Sequence, residues 1–150
     1  MSKNILIVNY YYPPVVDAQA FRWEQIAKYW VENGYVVDVI TNRVHGVPDH
    51  AVELGVNVTR VGVFQNFVSQ QEKVEHRSTI RAKIVQSIKR TIRPLYLSIC
   101  WPDVLWHWLP SVIVELYGRK NTKYELIVSY YPCMAAPLAV AVAKVLFGLR

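Results

Sequence analysis

The chain has 150 residues, of which 53% are hydrophobic and 19% charged, a composition that excludes a disordered chain and indicates a globular domain with a core. The formal net charge of +6 favours anionic partners, such as phosphorylated sugars, nucleic acid or an anionic membrane face. The two cysteines form no C-x-x-C pair, and the first residues lead into a strand rather than a secretory signal. The sequence therefore predicts a cytoplasmic protein.

Apolar runs and turn residues divide the chain into alternating strands and helices. Strands are predicted over residues 4–9, 35–41, 56–61 and 124–129. Helices are predicted after Asp17, over residues 77–93 and 110–117, and from residue 133 to Phe147. We expect Asp17 to cap the first helix and Gly34 to end it in a left-handed conformation. Polar residues around Gly46 and Pro48, and residues 64–76, predict loops.

The longest apolar stretch, residues 133–149, predicts a buried helix. Pro137 and Lys144 interrupt the stretch, and it is shorter than the roughly 20 residues that span a bilayer.

Alternation of strands and helices predicts an α/β fold, with a Rossmann-like parallel sheet covered by helices on both faces. In that arrangement the strand order is 3-2-1-4, so strands one and four are neighbours. Ligands of such sheets bind outside the carboxyl ends of the strands, at the point where the strand order reverses. The topology therefore directs attention to residues 10–20 and 129–135, which follow strands one and four.

The same segments resemble a known family. The opening NILIVNYYYPP, then Arg22, then NGYVVDVIT (residues 33–41), resembles the start of family-4 glycosyltransferases, and GVNVTRV (residues 55–61) fits that resemblance. Pro102-Asp103 with Trp108, and YELIVSYYP (residues 124–132), are similar to the subgroup that builds bacterial surface polysaccharides. The likeness spans nearly all of the chain.

The resemblance implies a GT-B enzyme, in which two Rossmann-like lobes face each other across a cleft, with retention of configuration and without a catalytic metal. In that family the N-terminal lobe holds the acceptor, and the C-terminal lobe holds the nucleotide-sugar through a pair of glutamates. Residues 1–150 are therefore expected to be a partial N-terminal domain, an incomplete half of a GT-B fold that lacks the nucleotide-sugar-binding domain. We expect no cofactor in this chain and no transferase activity from it alone.

The residues expected to line the cleft carry over from this resemblance, with the role of orienting the acceptor hydroxyl towards the donor's anomeric carbon. They are Tyr12, Pro13, Pro14, Asp17, Ala18, Arg22, Ser129, Tyr130, Tyr131 and Pro132. Many relatives have a Gly-Gly pair after the prolines and a histidine after strand four, and neither is present here. No catalytic residue is assigned, and the four histidines have no metal-ligand spacing.

The predicted basic helix over residues 77–93 is a candidate for contact with an anionic membrane, since acceptors of the subgroup are often lipid-linked. Its candidate membrane-contacting residues are Arg77, Arg81, Lys83, Lys89, Arg90 and Arg93. An ordinary amphipathic helix with a solvated basic face is the alternative.

Two other interpretations of the whole chain stay open. It could be a non-enzymatic adaptor that docks a catalytic partner chain or a membrane surface, or a truncated reading frame with no function. Nucleic-acid binding is a minor hypothesis, because no helix-turn-helix, zinc-finger or RRM pattern is visible.

Overall fold

The computed structural model describes residues 3–62, 105–130 and 134–148. Its strands are β1 (Lys3–Val8), β2 (Tyr35–Asn42), β3 (His50–Glu53), β4 (Val56–Val61) and β5 (Leu126–Ser129). Its helices are α1 (Ala18–Glu32), α2 (Leu109–Gly118) and α3 (Ala135–Phe147), with a short 3₁₀ helix at Trp106–Trp108 before α2. The predicted loop over residues 64–76 and the predicted basic helix over residues 77–93 lie outside the described residues.

The strands form one mixed sheet of five strands in the order β3-β4-β2-β1-β5. β1 pairs in parallel with β2 and with β5, and β2 pairs in parallel with β4. The order β4-β2-β1-β5 confirms the predicted order 3-2-1-4, with β1 and β5 as neighbours. The domain is α/β, and its arrangement is consistent with a Rossmann-like fold.

The prediction of an all-parallel sheet is wrong at one edge, where β3 pairs antiparallel with β4. A two-residue turn joins the two strands, and both of its residues, Leu54 and Gly55, have positive φ angles of 52° and 81°. Positive φ at both turn residues gives the tight hairpin that suits the twist of paired strands. The sequence did not predict β3, because this strand is only four residues long and leucine is an unusual residue in such a turn.

Helices cover both faces of the sheet, as predicted. On one face, Trp23 and Ala27 of α1 pack with strand residues such as Ile7, Val39 and Val58. On the other, α2 and α3 pack with Leu6, Val8 and Ile40. Alternate residues of β1 thus enter opposite cores, which explains why this strand is apolar on both sides.

Two predicted helix boundaries are confirmed. Asp17 has extended backbone, and its side-chain Oδ1 accepts a hydrogen bond of 2.7 Å from the amide of Gln19, as a capping residue does. Gly34 follows α1 with a φ of 82°, in the left-handed region. Within the described residues, no helix is both long enough and apolar enough to cross a membrane.

The hairpin glycine Gly55 lies against α1, and we expect Gly55→Ala to lower the free energy of unfolding by about 2 to 3 kcal/mol. A Cβ at this position would be 2.8 Å from Val31 Cγ1, in addition to the strain of a left-handed alanine. Gly46→Ala is the matched control, since Gly46 has a φ of 78° and nothing within 4 Å of its Cβ position. The control should lose only about 1 kcal/mol in urea unfolding, and equal losses would contradict the contact between the hairpin and α1.

Candidate functional site

The segments that follow β1 and β5 begin side by side. Val8, the last residue of β1, is paired with Ser129, the last residue of β5. Residues 9–18 and Tyr130 therefore leave the sheet at the same place, where the strand order reverses. We call the surface formed by residues 9–18, Ser129 and Tyr130 the carboxyl-end surface.

The first residues of the segment after β1 are fixed to the sheet by hydrogen bonds. Asn9 Nδ2 donates to the carbonyl oxygen of Tyr11 at 2.7 Å, and the hydroxyl of Thr41 donates to the carbonyl oxygen of Tyr10 at 3.1 Å. Asn9 and Thr41 are both buried at 1% exposure. Because buried hydrogen bonds are costly to break, the chain leaves β1 along a defined path.

The consecutive tyrosines at this place pack to opposite faces of the sheet. Tyr10 lies in the core beneath α2 and α3, with its ring edge-on to Trp108 at a centroid distance of 5.2 Å. Tyr12 lies in the core beneath α1 and is only 2% exposed. Burial, and after it the carboxylates of Glu24 and Glu53, raises the pKa of Tyr12 above its ordinary value. Tyr12 therefore packs in the core under the carboxyl-end surface and offers a ligand little area. Tyr11 is half-buried, so part of its side chain is open to solvent.

The amino end of α1 is already occupied by a carboxylate of the chain itself. Asp17 accepts from the amide of Gln19, so its negative charge lies where a phosphate would otherwise bind to the helix dipole. The outer side of this segment is open to solvent, with Pro14, Ala18 and Arg22 exposed and Pro13 half-buried. This arrangement disfavours a diphosphate at α1 and leaves the uncharged residues Pro13, Pro14 and Ala18 beside Asp17.

A buried arginine, which was not predicted from the sequence as a site residue, binds this segment from the interior of the fold. The side chain of Arg60, in β4, has 0% exposure and forms a 2.6 Å ion pair with Glu53 Oε1. Its Nη2 also donates to the carbonyl oxygen of Pro13 at 3.0 Å, and its Nη1 donates to that of Pro48 at 3.3 Å. A signal was present in the sequence, because Arg60 falls on the same face of the strand as Val56 and Val58.

A tryptophan fixes the 3₁₀ helix to the carboxyl end of β4. Trp108 has 0% exposure, and its Nε1 donates to the carbonyl oxygen of Val61 at 2.9 Å. Gly62 follows directly, and a Cβ there would lie 3.0 Å from Asn42 Oδ1. Trp108 therefore links the start of α2 to β4 and to Tyr10, beside the carboxyl-end surface.

A second polar cluster joins α2 to the middle of the sheet. Asp38 accepts from Asn57 at 2.8 Å and from the Tyr124 hydroxyl at 2.9 Å, and it is 3.2 Å from Arg119 Nη1. Arg119 also donates to Glu115 at 2.8 Å. Burial raises the pKa of Tyr124, so its hydroxyl remains a donor to Asp38. These groups satisfy one another, which is the pattern of a structural network.

A shallow concavity lies on the β3–β4 hairpin, lined by residues that include His50, Val52 and Asn57. Its polar groups are engaged elsewhere, since Asn57 donates to Asp38 and His50 Nδ1 is 3.4 Å from the Thr59 hydroxyl. The amide nitrogen of Asn57 and one imidazole nitrogen of His50 therefore already have partners within the chain.

The structure brings together most of the residues predicted to line the cleft. Tyr12, Pro13, Pro14, Asp17 and Ala18 belong to the segment after β1, and Ser129 and Tyr130 end and follow β5. Tyr130 is half-buried, and its ring lies 5.8 Å from that of Trp23. Arg22 projects into solvent from α1. The other two predicted residues, Tyr131 and Pro132, and the six basic membrane candidates lie outside the described residues.

Family-4 glycosyltransferases hold the nucleotide-sugar through two glutamates with the spacing Glu-x₇-Glu, and the expectation that this chain lacks that spacing is wrong. Glu24 and Glu32 are separated by seven residues, and both lie on α1. Glu32 is 3.9 Å from Lys28 in a surface ion pair. The pair belongs to the first helix of the fold, not to a second lobe. Across the described ranges, no group of three or more His, Cys, Asp and Glu side chains is arranged to hold a metal ion.

Comparison of the chain with models of protein families, with curated proteins and with solved structures finds no match.

Proposed function

We propose that the chain is the acceptor-binding, N-terminal part of a glycosyltransferase that transfers a sugar from a nucleotide-sugar to a glycan. The acceptor would be bound at the carboxyl-end surface, and a second lobe or a partner chain would bind the donor. The observation that carries the proposal is the pairing of Val8 with Ser129, which puts the two family-like segments side by side. The capping of α1 by Asp17 supports an acceptor rather than a diphosphate at this surface.

The proposal gives these groups an orienting role. Tyr130 offers part of an aromatic ring, on which the apolar face of a sugar can stack, and Ser129 offers a hydroxyl at the end of β5. Arg60, through the Pro13 carbonyl, keeps the segment after β1 in position. No described side chain at this surface is assigned the chemical step.

We expect Tyr130→Ala to weaken the binding of a methyl glycoside or disaccharide about tenfold, because it removes the aromatic surface. Saturation-transfer NMR with a panel of such sugars measures this. Tyr29→Ala is the matched control, since Tyr29 is 62% exposed on the outer side of α1. If both variants bind like the unmodified chain, or if no sugar binds, the acceptor site is not at this surface.

We expect no transferase turnover from the 150-residue chain alone, with any combination of nucleotide-sugar and glycan acceptor. The reason is that the described residues contain no second lobe that could hold the donor. Release of nucleotide diphosphate from a panel of nucleotide-sugars is the measurement. Turnover above that of a heat-denatured sample would contradict the proposal that donor binding lies elsewhere.

A second candidate is a non-enzymatic docking protein, which the outer side of α3 favours. Leu138, Val145 and Leu146 are 37%, 82% and 67% exposed there, and such an apolar surface suits a partner chain. For a pure docking protein, the sugar titration above should show no binding.

Contact with an anionic membrane through residues 77–93, and a lipid-linked acceptor, remain proposals within the first candidate.

A further inference from the structure

Two buried polar atoms near the carboxyl-end surface have no hydrogen-bond partner. Within the described part of the chain, the buried side-chain atoms that lack one are Gln19 Oε1, Trp23 Nε1 and Arg60 Nε. Gln19 and Trp23 are four residues apart on α1, so their side chains are neighbours on one face of the helix. Buried polar groups are nearly always hydrogen-bonded in folded proteins, so an unpaired donor and an unpaired acceptor on one face of a helix call for a partner group.

The pair lies between the two segments that form the carboxyl-end surface. Gln19 is in the first turn of α1, two residues after the capping residue Asp17. Trp23 is 8% exposed, and its ring packs against that of Tyr130, which follows β5, with an angle of 59° between the rings. Tyr130 is half-buried, so part of its side chain is open to solvent beside Trp23.

The chemistry of the two atoms selects the kind of group that fits. An indole N–H can only donate a hydrogen bond, and an amide oxygen can only accept one. A hydroxyl group satisfies both at once, because it accepts from the indole and donates to the amide. An ionised phosphate only accepts and an ammonium group only donates, so each would leave one of the two atoms unpaired.

We propose that Gln19 and Trp23 form a subsite for one hydroxyl of a sugar, beside the ring of Tyr130. This inference rests on the proposed function, because the sugar is taken to be the glycan acceptor. It adds two residues that the resemblance did not assign and gives each a polar role. Neither touches the reacting atoms by this assignment, so both are specificity-determining residues.

The test follows the indole N–H resonance of Trp23 in the unmodified, ¹⁵N-labelled chain, assigned by its loss in Trp23→Phe. During titration with the panel of methyl glycosides, we expect this resonance to move downfield. The shift should reach its plateau at the same sugar concentration as the saturation-transfer signal of the bound sugar. Gln19→Met should weaken the binding of that sugar about fivefold, the effect of one lost hydrogen bond. Gln25→Met, an exposed glutamine of the same helix, should leave the binding unchanged.

Each other outcome overturns the inference in a distinguishable way. Sugar binding without a shift of the Trp23 resonance overturns the subsite and leaves the proposed function standing. No sugar binding by any measure overturns both. In a third outcome, the Trp23 indole N–H transfers magnetisation to water and its resonance does not respond to sugar. An ordered water is then its partner, and this also overturns the subsite. The resonance test uses the unmodified chain, so it does not depend on the folding of Gln19→Met.

Discussion

We expect Glu53→Gln to lower the free energy of unfolding by about 3 kcal/mol, because it leaves the guanidinium of Arg60 buried without a counter-charge. The Arg60 side chain has 0% exposure, whereas the side chain of Glu53 is 34% exposed. Arg60→Met should cost less, about 1 to 2 kcal/mol, because the carboxylate it leaves behind is partly hydrated. Loss of the more exposed partner is therefore expected to be the more damaging change.

A double-mutant cycle in urea separates this effect from simple loss of packing. Glu53→Gln with Arg60→Met should be about as stable as Arg60→Met alone, since the buried charge is gone in both. Asp49→Asn is the matched control, because Asp49 pairs with Arg43 in the same region with side chains 42% and 45% exposed. It should lose less than about 1 kcal/mol. If Glu53→Gln costs no more than Asp49→Asn, Arg60 is not held as a buried ion.

Trp108→Ala is expected to lower the free energy of unfolding by about 4 kcal/mol, because a fully buried aromatic side chain leaves a large cavity. It also removes the hydrogen bond to the Val61 carbonyl and the contact with Tyr10. Trp108→Phe should recover much of the loss by restoring an aromatic ring without the N–H donor. Urea or thermal unfolding measures both.

Trp106→Ala is the control for Trp108, since Trp106 lies in the same 3₁₀ helix and is half-buried. We expect it to cost about 1 to 2 kcal/mol, in proportion to the smaller area it buries. Equal losses for the two tryptophans would mean that the 3₁₀ helix is not anchored to β4 through Trp108.

Local patterns in the sequence predicted most of the described fold. The apolar run of β1, the cap at Asp17 and the glycine after α1 each depend on neighbouring residues, and the structure has all of them. The order of the parallel strands follows from the doubly wound arrangement, in which the chain returns to the middle of the sheet after three parallel strands. β3 was missed because its pairing depends on a two-residue turn with an unusual leucine rather than on the strand residues themselves.

The candidate site was predictable in location but not in detail. Topology placed the segments after β1 and β5 together, whereas the burial of Tyr12 depends on how an irregular segment packs, for which no periodicity exists. Arg60 acts on that segment from 47 residues away, through the carbonyl of Pro13. The unpaired atoms of Gln19 and Trp23 appear only when every hydrogen bond around α1 is known.

The most direct test of the central claim is a map of backbone amide resonances during two titrations, one with a methyl glycoside that binds and one with uridine diphosphate. We expect the glycoside to shift the amides of residues 11–19 and of Ser129 and Tyr130, and the nucleotide to leave the amides at the start of α1 unmoved, because Asp17 occupies that position. Shifts of the Ala18 and Gln19 amides by the nucleotide, or glycoside shifts confined to the β3–β4 hairpin, would contradict an acceptor site at the carboxyl-end surface.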